Sequence, residues 1–152
     1  FSLTGWRVGW VLGPEPYMKA INMLHSATSY CAPTPLQYGI QEALKAEDGT
    51  FEGIPELIEG NAKILGEALK EKGFNVCPVD GGHFLTADTS PLGLGGFEFS
   101  KQLLQQVKVG GIPSMIFYAG ETDEDKPLVR FAICKDRQTI LEAAERIQGF
   151  NV

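Results

Sequence analysis

Over residues 54–72 the apolar side chains Ile54, Leu57, Ile58, Leu65, Ala68 and Leu69 recur at helical spacing among Glu and Lys, and directly beyond Gly73 the spacing becomes that of strands. A helix with one apolar face has to lay that face on another layer, and the strands that follow supply a sheet for it. The switch therefore predicts an α/β domain. Short strands are predicted over 74–78 and 83–88, joined through Asp80-Gly81-Gly82, then a Gly- and Pro-rich loop over 90–96 and a helix over about 97–108. Two further strands are predicted over 112–118 and 128–134, separated by an acidic loop at 121–125. Asp136 then caps a last helix that carries Ile140, Leu141, Ala144 and Ile147 on one face.

The first part of the chain reads differently. Residues 6–12 are short, apolar and ended by Gly13-Pro14, which predicts a buried strand followed by a turn. Pro16 opens a helix with Met18, Ile21, Met23, Leu24 and Ala27 on one side, and Pro33 and Pro35 break the chain and start a second helix through about residue 46. Asp48-Gly49 is a predicted turn. A single strand has no partner in this stretch, so its backbone groups and apolar faces need a sheet from elsewhere. The expected organisation is the closing part of a larger domain over residues 1–48 and a small α/β domain over 49–152.

A chain of 152 residues can bury one core, or one small domain plus a remnant of another. The net charge of −6, with no Lys/Arg cluster, argues against nucleic acid or an anionic membrane as partner and favours a small molecule. No run of about 18 apolar residues and no signal-peptide pattern occurs, so the expected location is cytoplasmic, with a lost N-terminal targeting segment left open. Cys31, Cys77 and Cys134 are odd in number and lack C-x-x-C pairing. They signal neither a disulfide framework nor a metal site, and are expected as buried free thiols.

Two arginines stand in apolar surroundings. Arg7 lies among aromatics and glycines, where its charge calls for either a structural ion pair or a bound anion. Arg130 lies in the otherwise apolar strand 128–134, where periodicity by itself favours a solvated face over a ligand. By itself Tyr30 reads as an ordinary helix-end aromatic, Tyr118 equally well as a core aromatic, and His83, with no Cys or acidic neighbour in sequence, as a structural histidine.

The opening Phe1-Ser-Leu-Thr-Gly-Trp-Arg-Val-Gly-Trp10 resembles the segment directly after the Schiff-base lysine of fold-type I, pyridoxal-phosphate-dependent aminotransferases of class I/II. Three later stretches are similar to the same family: Gly81-Gly82-His83-Phe84, Ile112-Pro-Ser-Met-Ile-Phe-Tyr118, and Val129-Arg-Phe-Ala-Ile-Cys-Lys135 followed by Asp136. The likeness covers essentially the whole chain and is nearest the kynurenine, glutamine and methionine aminotransferase group. It implies the aspartate aminotransferase fold, represented by the end of the large domain and the C-terminal small domain. It also implies pyridoxal 5'-phosphate as cofactor, amino acids and 2-oxo acids as substrates, and a homodimer. By resemblance Arg7 binds the cofactor phosphate and Arg130 grips the substrate α-carboxylate. Tyr30 falls where one subunit of related enzymes reaches the other's substrate pocket, and Tyr118 lines that pocket. The lysine would fall just before Phe1, so no catalytic residue is expected within this chain, which by itself is expected to be inactive. Two other readings stay open: a carbon–sulfur lyase acting on cysteine conjugates, and a truncated, non-catalytic domain with a binding or assembly role.

Overall fold

The computed structural model describes residues 3–46, 51–120 and 126–151. The turn expected at Asp48-Gly49 and the acidic loop at 121–125 lie outside them. The chain divides into two compact units, Phe1–Glu52 and Gly53–Val152.

In the first unit a 3-10 turn, Thr4–Trp6, is followed by irregular chain and then by helices α1, Glu15–Thr28, and α2, Thr34–Leu44. Each helix carries a proline in its first turn, where the missing N–H has no helical acceptor to lose. The indole of Trp6 lies against Gly39 of α2, in space that any side chain at that position would occupy. The strand expected over residues 6–12 does not form. Residues 7–14 carry no regular structure, and Trp10 and Leu12 are 59% and 87% exposed. All strands among the described residues belong to the sheet of the other unit, so nothing here takes up a ladder of backbone hydrogen bonds. Among the described residues of this unit Ile40 alone is buried, and the apolar face of α1, with Ile21, Met23 and Leu24, is exposed.

The second unit is built on a four-stranded antiparallel sheet in the order β1-β2-β4-β3. Its strands are β1, Asn75–Val76; β2, Phe84–Asp88; β3, Ile112–Pro113; and β4, Leu128–Ala132. Helices α3, Gly53–Glu71, α4, Gly96–Val107, and α5, Arg137–Gln148, supply the second layer. Leu85 and Ala87 of β2 and Val129 and Phe131 of β4 point to the helices, and join Leu65, Leu69, Leu103, Ile140 and Ile147 in one core. Phe99 is the hub, with ring centroids 4.7 Å from Phe74, 5.5 Å from Phe150 and 6.5 Å from Phe131. Each such fully buried apolar side chain contributes about 1.5–3 kcal/mol.

Element ends follow local chemistry. Gly73, at φ +90°, stops α3, and the Phe74 N–H turns back to the Leu69 carbonyl at 3.1 Å. Asp136 caps α5 by accepting from the Thr139 N–H at 2.9 Å and its hydroxyl at 2.6 Å. The strand expected over 112–118 is shorter than its apolar run suggests. Only Ile112 and Pro113 pair with β4, after which Ser114–Phe117 coils into a 3-10 turn, because Pro113 has no N–H with which to extend a ladder. The cysteines also depart from expectation: Cys31 and Cys134 are exposed and Cys77 is half-buried. Cys134 follows the buried Ile133, just past the end of β4, as the chain turns outward into α5.

Candidate functional site

Alternation along a strand puts successive side chains on opposite faces. With Val129 and Phe131 committed to the helices, Arg130 points to the other face of the sheet, and with Leu85 and Ala87 inward, Phe84, Thr86 and Asp88 share that face with it. The register sets Arg130 opposite Thr86 on one side and Ile112 on the other. Arg130 is thus in the middle of the sheet, half-buried, on the face that the helices leave uncovered. The guanidinium carbon lies 4.1 Å from the Phe84 ring centroid and 4.5 Å from that of Phe117. One ring comes from β2 and the other from the turn after β3, the neighbours of β4 on its two sides. Cation–π contacts of this kind contribute about 0.5–2 kcal/mol, more as water is excluded.

No acid among the described residues pairs with Arg130, and its Nε is buried without an acceptor. Asp88, the carboxylate on the same sheet face, is turned elsewhere. Its Oδ1 accepts from the Ser90 hydroxyl at 2.6 Å and the Ser90 N–H at 2.9 Å, and the hydroxyl bond is the main cause holding its pKa below the usual carboxylate value. A planar donor fork with no internal partner, on an uncovered face, is suited to an incoming carboxylate.

The polar support beneath this strand comes from α3. Asn61, fully buried, donates from Nδ2 to the carbonyls of Ile133 at 2.9 Å and Lys135 at 2.8 Å, pinning the chain as it leaves β4. The Ile133 N–H donates to the His83 carbonyl at 2.9 Å, and the His83 ring meets Phe84 edge-on at 6.5 Å. His83 also lines a cleft of about 480 Å³ with Ile54, Ile58, Glu59, Val79 and Asp80. Tyr118 ends the turn that carries Phe117, and its ring lies 4.8 Å from the Lys126 ammonium. The aromatic brought onto Arg130 is therefore Phe117, the immediate neighbour of the residue picked from sequence.

In the other unit Arg7 and Tyr30 both adopt left-handed backbone, with φ of 56° and 66°. The Arg7 N–H closes the 3-10 turn on the Thr4 carbonyl, and the Tyr30 N–H closes α1 on the His25 carbonyl at 2.8 Å. These are positions glycine usually takes, and holding a larger L-residue there costs about 1–2 kcal/mol. Arg7 is exposed and makes no ion pair with a described residue. Tyr30 is 79% exposed. Among the described residues no cluster of His, Cys, Asp and Glu could hold a metal ion, and no helix is long and apolar enough to cross a membrane.

The second unit is thus a helix-on-sheet domain whose central strand carries an arginine with no acidic partner among the described residues. Residues 1–147 match the family model for aminotransferase class I and II, and the chain belongs to that family. It is 31% identical to a methionine aminotransferase of Escherichia coli K12 over 97% of this chain and 38% of that protein. It is 28% identical to kynurenine–oxoglutarate transaminase 1 of Rattus norvegicus over 97% of this chain and 40% of that protein. The crystal structure of a methionine aminotransferase from Escherichia coli superposes with a TM-score of 0.79 and 30% identity, covering 99% of this chain and 39% of that one. The chain thus spans about two-fifths of the length of these relatives, and its fold is that of the corresponding part of pyridoxal-phosphate-dependent aminotransferases.

Proposed function

We propose that this chain serves transamination between an amino acid and a 2-oxo acid, with Arg130 as the group that takes the substrate α-carboxylate. The observation that carries this is Arg130 itself: a half-buried cation on the sheet face opposite α3, α4 and α5, with two ring centroids within 4.5 Å of its guanidinium carbon and without an acidic partner among the described residues. A bidentate bond from its fork fixes the orientation of a carboxylate, and with it the direction of the amino group on the adjacent carbon. Pyridoxal phosphate is the cofactor the family implies, and when bound it supplies the electron sink for chemistry at that carbon. The residues present fit its phosphate, because Arg7 is exposed, has no ion pair among the described residues and sits in a turn held at some conformational cost. Tyr30 and Tyr118 are proposed as substrate-side aromatics, Tyr30 offered to the partner subunit of a homodimer. Residues 1–48 are proposed as part of a larger cofactor-binding domain and 49–152 as the small domain, a reading supported by the share of the relatives that the chain spans.

The test is amino-acid-dependent release of 2-oxo acid by the full-length polypeptide that carries this chain, supplied with pyridoxal phosphate. Arg130→Lys keeps the charge and loses the fork, and is expected to lower kcat/KM for the amino acid about 10- to 100-fold. Arg7→Leu is expected to weaken retention of pyridoxal phosphate, read by its absorbance after gel filtration. Undiminished kcat/KM in Arg130→Lys would remove the carboxylate role. An absence of 2-oxo acid across a panel of amino acids, with the cofactor bound, would remove the activity.

A further inference from the structure

Phe84 and Phe117 are large apolar side chains left 41% and 54% exposed, so neither is held in place by the core. The ring centroids lie 4.1 and 4.5 Å from the guanidinium carbon of Arg130, and Phe84 also meets the His83 ring edge-on at 6.5 Å. The rings come from elements on the two sides of β4, since β2 and β3 flank that strand. A guanidinium offers two flat faces and a rim of in-plane N–H donors. With two ring centroids within 4.5 Å of the guanidinium carbon and Nε buried, the terminal nitrogens are the donors left for a ligand.

We propose that Phe84 and Phe117 are positioning residues that lock the plane of Arg130, restricting it to ligands that approach in that plane and so favouring a flat carboxylate over a tetrahedral oxyanion. The proposal deepens the carboxylate role of Arg130 and rests on it. Locking also spares binding the entropy of ordering a long side chain, which is the usual gain from preorganisation. Asp88, the one acid of β2 on this face, is engaged by Ser90 and does not compete for the rim.

The experiment compares full-length wild type with Phe84→Leu, Phe117→Leu and the rescue variants Phe84→Tyr and Phe117→Tyr. Because both rings are partly exposed, the Leu variants leave the core intact, and their melting curves check this. The first readout is the Nε–H resonance of Arg130, assigned by its loss in Arg130→Lys. Ring currents are expected to shift it away from the other arginines, and burial to slow its exchange with water. Each Leu variant is expected to abolish that shift and each Tyr variant to keep it. The second readout is affinity for 3-phenylpropionate against 2-phenylethylphosphonate. Each Leu variant is expected to lose about three- to tenfold for the carboxylate and less for the phosphonate, consistent with the loss of one partly exposed cation–π contact. In turnover the same loss is expected in KM for the amino acid, with kcat little changed. A shifted resonance that survives both Leu variants, or equal losses for carboxylate and phosphonate, would overturn the clamp. Failure of wild type to transaminate, with the resonance and the carboxylate preference intact, would overturn the proposed activity and leave the clamp standing.

Discussion

Asn61 shows how much one buried amide can hold. Its side chain is completely enclosed, and its Nδ2 supplies two backbone carbonyls, Ile133 and Lys135, that have left the sheet and not yet reached α5. Asn61→Ala removes both donors at once and strands buried acceptors. The expected cost is about 1–3 kcal/mol in urea unfolding, and a midpoint equal to that of wild type would mean that water replaces the amide without loss. Nothing in the sequence marks this residue, because an asparagine on a Glu- and Lys-rich helix looks like part of the solvated face. Arg7 and Arg130 were legible, since a charge set among apolar residues needs an explanation whatever the fold. Phe84 and Phe117 were not, because which ring stacks on Arg130 depends on strand register and on a turn that only the folded chain displays.

Elements were legible where a boundary has local chemistry. Gly73 ends α3 because a left-handed cap is needed there, and Asp136 starts α5 because its carboxylate meets the first free N–H groups. Hydrogen bonds from the Thr139 side chain and backbone lower the pKa of Asp136, and those from Ser90 lower that of Asp88. An unfolded Asp titrates near about 3.9. The stability from each depressed carboxylate is therefore fully present above that value and is lost as the pH falls through the lower folded value. The Tm of the second unit is expected to fall as the pH is taken from neutral towards about 2. Asp136→Asn, which can still cap but does not titrate, should flatten part of that fall, and Asp136→Ala should lower Tm already at neutral pH. An acid slope unchanged in Asp136→Asn would show that the cap is not among its causes. Boundaries failed where periodicity stood alone. The apolar run 112–118 contains Pro113, which ends ladder pairing, and the run 6–12 has no neighbouring strand in its own unit.

At the scale of the molecule the two units differ in how far they satisfy themselves. Gly53–Val152 encloses a core of helices on sheet, whereas in the first unit Ile40 is the one buried residue among those described. Trp10, Leu12, Tyr17, Met23 and Leu24 are each at least 59% exposed, large apolar side chains of the kind that mark an interaction or aggregation surface when they lie together. The 152-residue polypeptide made alone is therefore expected to self-associate and to bind an apolar-surface dye. Light scattering across a concentration series checks this, and a monomer at every concentration with no dye signal would contradict it.

Taken alone, the sequence determined the helix-on-sheet layering of the chain beyond about residue 49, the caps that bound its helices and two arginines set among apolar residues. These follow from interactions between residues a few positions apart, which spacing and residue type encode directly. The tertiary structure decided the rest: the order β1-β2-β4-β3, the sheet face on which Arg130 stands, the rings of Phe84 and Phe117 against its guanidinium, and the reach of Asn61 to Ile133 and Lys135. Those contacts join residues about a dozen or more positions apart in the chain. Their partners are chosen by how the strands pair and how the core closes, and a linear pattern carries no record of that choice.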